Sequence, residues 1–198
     1  MTRALIQPFP QPGPLVELAY WELWGAENGT AEQRILLGDP RLLPRPFDPA
    51  SCTNPQLRAE LWGWLDAVVS WLNTDHAWDT SSLIPGCWPH HPHLIHQLAT
   101  LADRRRSAGQ ATTGEQLEDW HRHALPSLLD RLRGQLNNHC ENGHQPPPTR
   151  GRCNRYLEPT QQRERANAVA GDCGSLINGS NLRDAKPANH AGRTPPWS

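Results

Sequence analysis

The chain has 198 residues, 36% of them hydrophobic, with 20 prolines and a net charge of −1. That is enough for one domain with a modest core and too short for two comfortable ones, and prolines run at about double the usual ~5%. The charge balance gives the chain as a whole no pull towards nucleic acid or anionic lipid, and no uncharged apolar run reaches the ~18 residues of a membrane span.

The first eight residues, Met1 to Pro8, carry one charge and no apolar core of the signal-peptide kind, so a cytoplasmic location is expected. Five cysteines, an odd number at irregular spacing, imply no disulfide framework in a reducing compartment. Lys186 is the lone lysine among 19 basic residues, a bias that points to a GC-rich genome rather than to a phosphate-binding surface.

Residues 1–53 read as a proline-rich N-terminal arm, with Pro8, Pro10, Pro12 and Pro14 and then Pro40, Pro44, Pro46 and Pro49. One short helix is predicted in it, Leu15 to Trp24, with Gly25 as its stop. Tyr20, Trp21, Leu23 and Trp24 bring three aromatics into five residues, more than one side of a short helix can hide. This surface either completes the core of the main domain or faces a second copy or another protein.

Residues 54–145 form the predicted helical domain. Asn54 suits an N-cap and Pro55 the first helical position. Leu57, Leu61, Trp64, Leu65, Val68, Trp71 and Leu72 then recur on one helical face. A second helix opens near Pro92, buries Leu94, Ile95, Leu98, Leu101 and Ala102, turns Asp103 to Arg106 outward and ends near Gly109. Thr113 and Gln116 are spaced as a capping box for a third helix, whose face is Leu117, Trp120, Ala124, Leu125, Leu128, Leu129, Leu132 and Leu136. Pro126 predicts a kink or break there. Period-2 alternation is absent. The fold class is therefore all-α: a small bundle of about three core helices with Trp64, Leu65, Val68, Trp71, Leu94, Leu98, Leu101, Trp120, Leu125 and Leu128 as one buried cluster. Residues 146–198 are poor in aliphatics and rich in Gly, Pro, Asn, Gln and Arg, a composition expected to stay mostly disordered.

Three segments carry a family resemblance. They are Trp71-Leu72-Asn73, then the run from Leu83 through Cys87-Trp88-Pro89-His90-His91-Pro92 to Leu101, then Trp120-His121-Arg122-His123-Ala124-Leu125-Pro126 to Leu132. Together they resemble an uncharacterised family of high-GC Gram-positive bacteria, a domain of unknown function. Its pattern is a proline-cysteine-tryptophan segment, a His-Pro helix start and a later Trp-His helix. Cys140-Glu141-Asn142-Gly143-His144 is similar to that family's trailing cysteine segment, so the likeness covers roughly residues 60–145. Gln97 stands where members usually carry an acidic residue. Members are often encoded on plasmids and conjugative elements, which implies an accessory role in a mobile element. The family has no known catalytic residues to carry over.

Four polar clusters hold residue types capable of chemistry. Cys87 with His90, His91, His93 and His96 gathers ligand-type side chains, but helix capping and packing explain them more simply than a metal or a reactive thiol. A second group, Cys140, His144 and Cys153, offers three zinc ligands and needs a fourth from His139 or Cys87; paired C-x2-C or H-x3-H spacing is lacking. Asp119, His121, His123 and Ser127 share one helix, an arrangement that rarely aims a nucleophile. Arg104, Arg105 and Arg106, with Arg150, Arg152, Arg155 and Tyr156 in the tail, are of the type that contacts phosphate. Without helix-turn-helix or finger spacing they read as a solvated basic face. The reading is a non-enzymatic helical binding or interaction module, with protein partners or self-association and no cofactor. The alternative is a zinc-stabilised or nucleic-acid-contacting accessory protein.

Overall fold

Backbone hydrogen bonding is helical wherever it is regular among the described residues, which in this computed structural model are 5–136 and 139–184. The first helices are α1 (Pro14–Asn28), α2 (Ala31–Leu37), α3 (Pro55–Asp75) and α4 (Pro92–Gly109). A fifth, α5 (Glu115–Asp119), runs through a π-helical turn, Trp120–Ala124, straight into α6 (Leu125–Gln135). Residues 1–145 form one compact unit and residues 146–198 a second.

The caps explain where α3 begins. The Asn54 side chain accepts from the backbone N–H groups of Gln56 and Leu57, and Pro55 takes the first position. Its inward face buries Leu57, Leu61, Trp64, Leu65, Val68, Trp71 and Leu72, as the spacing predicts. Leu94, Leu98 and Leu101 of α4 and Trp120, Leu125 and Leu128 of the α5–α6 rod meet that face in one cluster. All ten residues expected to form the core lie in it.

Three helices do not close this core alone. Phe9, Val16, Ala19 and Tyr20 belong to the same cluster, so the N-terminal arm and α1 are part of the bundle. The arm is held through its carbonyls. A proline-rich segment has few N–H donors but a full set of acceptors. The indole N–H of Trp64 donates to the carbonyl of Pro10 (2.9 Å) and that of Trp71 to the carbonyl of Gln7 (3.1 Å). Between these clamps the Phe9 ring stands edge-on to both indoles.

Four local expectations need correction. Helix α1 does not stop at Gly25 but runs to Asn28, because Gly25 serves packing: a Cβ there would sit 3.0 Å from Leu37 Cδ1 of α2. The capping box forms at Thr30 and Gln33, which cap α2 reciprocally, while α5 starts from Gly114 with no side-chain cap. The expected kink or break at Pro126 takes the form of a π-helical turn just before it, with no break in the run of helical residues. The Leu125 N–H reaches back to the Trp120 carbonyl, and this wider turn accommodates the missing proline donor at the start of α6.

The fourth concerns Asp103 to Arg106, of which only Arg104 is exposed. Arg105 lies over Phe9, Trp71 and Trp120 at 5.2–5.8 Å from the ring centroids, and Arg106 over Tyr20 at 3.5 Å. Guanidinium planes stack well on aromatic faces, so these two arginines roof the core instead of facing solvent.

In the second unit, α7 (Arg150–Tyr156) and α8 (Pro159–Asp184) are helical, and no side chain described there is buried. Arg165 packs on the Tyr156 ring at 3.7 Å. These residues were expected to be mostly disordered and are helical instead; the shortage of apolar surface behind that expectation shows in their unburied side chains, and 185–198 lie outside the described residues.

Candidate functional site

Two short turns, each held by its own scaffold, bring four ligand-type side chains together. The first turn is fixed to α3 by Asn73, whose amide donates to the Ile84 carbonyl and whose side-chain oxygen accepts from the Ile84 N–H, both at 2.9 Å. From there Pro85-Gly86 leads into a single 3-10 turn, Trp88–His90. Trp88 is buried against Trp62 (centroids 5.6 Å apart) and anchors the turn. The His91 N–H donates to the Trp88 carbonyl (3.0 Å), and the His91 carbonyl accepts from Leu94 as α4 begins. Cys87 and His91 therefore flank this tight turn on either side, ahead of Pro92.

The second turn follows α6. Leu132 and Leu136 are buried, which fixes the end of that helix, and the chain then turns through His139 to His144. Gly143 adopts φ +109°, a conformation that side chains other than glycine rarely tolerate. It folds His144 back towards Cys140.

The ligand atoms of Cys87, His91, Cys140 and His144 all lie within 4.8 Å of one another. His91 Nε2 is 3.4 Å from Cys87 Sγ and 3.3 Å from Cys140 Sγ. The His144 ring lies 4.9 Å, centroid to centroid, from those of His91 and His90. His91 is 1% exposed, the two cysteines are half-buried, and His144 faces solvent. Burial, with His144, His93, His139 and His90 nearby, holds the His91 imidazole below its usual pKa, which favours the neutral ring. Burial and the adjacent Cys140 push the Cys87 thiol up.

Of the zinc candidates expected from the sequence, Cys87, Cys140 and His144 converge. His139 is not one of the four, and Cys153 lies exposed on α7 in the second unit. The fourth member is His91, for which helix capping and packing had been the simpler expectation. A signal for it was present: Cys87 to His91 and Cys140 to His144 are both C-x3-H, the same spacing used twice. Of the other histidines in the first cluster, His90 stacks on His144, His93 lies beside His91, and His96 is exposed on α4.

The Asp119, His121, His123 and Ser127 group makes no triad. Asp119 is ion-paired with Arg104 at 2.8 Å, and His121 packs on Trp120 and His76. His123 and Ser127 line an open surface groove with His96 and Arg131.

The other feature without an internal explanation is the outer face of the α1–α2 hairpin. Leu18, Trp21 and Trp24 are about half exposed on α1, while Ile35 and Leu36 of α2 and Leu42 just beyond are more than 80% exposed. Helix α1 carries Glu17, Glu22 and Glu27 and no basic residue. No helix among the described residues is long and apolar enough to cross a membrane. No family model, curated protein or solved structure matches the chain.

Proposed function

We propose that the chain is a non-enzymatic helical interaction module that offers the α1–α2 hairpin to a protein partner. One observation carries this reading. Val16, Ala19 and Tyr20 on the inner side of α1 are buried, so the helix is fixed to the domain, yet Leu18, Trp21 and Trp24 remain in solvent. Exposed tryptophans on a rigid support match the aromatic anchors that dominate protein interfaces.

The acidic side chains that α1 carries alongside these anchors favour a partner with a basic, apolar surface. A second copy docking hairpin to hairpin sets glutamates against glutamates. The nucleic-acid alternative loses support because Arg105 and Arg106 are stacked on core aromatics. A mobile-element accessory role is proposed on the sequence resemblance alone.

The test compares the full chain with a Trp21→Glu, Trp24→Glu variant. Both positions are about half exposed, so the thermal midpoint is expected to change little. Proteins captured by the full chain and lost to the variant are purified and titrated directly, and binding is expected to weaken with salt. A variant that keeps every such interaction and the same mass by light scattering shows that the hairpin face is not an interface.

A further inference from the structure

We propose that Cys87, His91, Cys140 and His144 bind one zinc ion as a closed Cys2His2 site. This site is separate from the hairpin face, and its ion would hold the last turn of the domain in place.

The donors are those zinc prefers. Two thiols and two imidazoles are the ligand set of structural zinc, softer than the carboxylate and carbonyl oxygens that suit calcium or magnesium. Around a tetrahedral zinc, with Zn–S of ~2.3 Å and Zn–N of ~2.0–2.1 Å, sulfur and nitrogen ligands lie about 3.6 Å apart. The two S···N distances here, 3.4 and 3.3 Å, fall close to that edge length. The four ligand atoms already lie within 4.8 Å of one another, so a small adjustment closes them on one ion.

The backbone points the same way. Each ligand pair is a C-x3-H turn, and the two turns come from segments 49 residues apart at the Cys140 to His91 contact. An imidazole with one acceptor nitrogen can accept one S–H, so the second thiol is left with a poor partner. Zinc resolves this: both thiols lose their protons, two protons leave to solvent, and the two thiolates neutralise the dication. All four positions are filled by the protein, so the ion has a structural role, with no site open for substrate.

The experiment uses the full chain, produced without a histidine tag in zinc-supplemented medium. Elemental analysis is expected to find one zinc per chain. Cys140→Ser and His91→Ala are expected to lose it, whereas His93→Ala and Cys153→Ser keep it. Because the ligand variants can also misfold, the unaltered chain is stripped with a chelator and titrated with cobalt(II). The expected spectrum has thiolate-to-cobalt charge transfer and the intense visible bands of a tetrahedral ion, and one equivalent of zinc abolishes both. A stripped chain that takes up neither metal, a weak octahedral cobalt spectrum, or a Cys87→Ser, Cys140→Ser double variant that retains its zinc overturns the proposal.

Discussion

Arg105 occupies a position that would usually cost a charge its hydration, and burial lowers its pKa. Three aromatic faces and a half-open setting make the position tolerable. Below it Trp71 is packed on the rings of Phe9, His76 and Trp120. Trp71→Ala is expected to cost on the order of 3–5 kcal/mol, read as a fall in the denaturant midpoint. Trp78→Ala, at a residue 97% exposed, is expected to leave the midpoint unchanged. His76 gives a pH dependence. Burial first, then His121 and Arg105, lower its pKa below 6.5, against the opposing pull of Asp75. Its neutral form is favoured by the fold. Its contribution is therefore complete above the unfolded value near 6.5 and is lost as pH falls through the lower folded value. Urea midpoints measured between about pH 7.5 and 5 are expected to fall, and to fall less steeply in His76→Gln. An equal slope in both proteins assigns the effect to another group.

At the scale of elements, Gly25 is where two helices touch. A larger side chain must displace the Leu37 side chain where α2 packs on α1, so Gly25→Leu is expected to destabilise by about 1–3 kcal/mol despite its better helix propensity. A fall in the thermal midpoint on that substitution checks it. This glycine also marks a limit of what the sequence makes legible. Helices α3, α4 and α6 were legible because each has one apolar face in phase with 3.6 residues, and Asn54-Pro55 announces the start of α3. Gly25 could not be told for a packing glycine, since a stop and a close approach use the same residue. The π-turn before Pro126 and the stacking of Arg105 and Arg106 were equally hidden, because both depend on how the elements pack. For the Cys87, His91, Cys140 and His144 cluster, three members stood together as zinc candidates, whereas His91 was grouped with the first histidine cluster, where capping and packing were the simpler expectation. A histidine before proline at a helix start looks like a cap, and only the repeated C-x3-H spacing distinguishes it.

For the molecule as a whole, the two units differ in kind. Residues 1–145 hold the hydrophobic core, whereas the described side chains of α7 and α8 are unburied. Deleting residues 146–198 is expected to lower the total helical signal but to leave the melting temperature of the remaining unit unchanged. A drop in that temperature shows that the second unit contributes stability to the first.

The carbonyl clamps on the N-terminal arm set an order of assembly. Pro10 and Gln7 are 54 and 64 residues away from the indoles that hold them, and Arg105 covers the Phe9 ring later still. On a ribosome adding about 5–20 residues per second, the arm precedes α4 by roughly 5–20 s. The arm is synthesised before every helix that holds it, so nascent chains that stop short of α4 carry Phe9 without the Arg105 guanidinium that covers its ring.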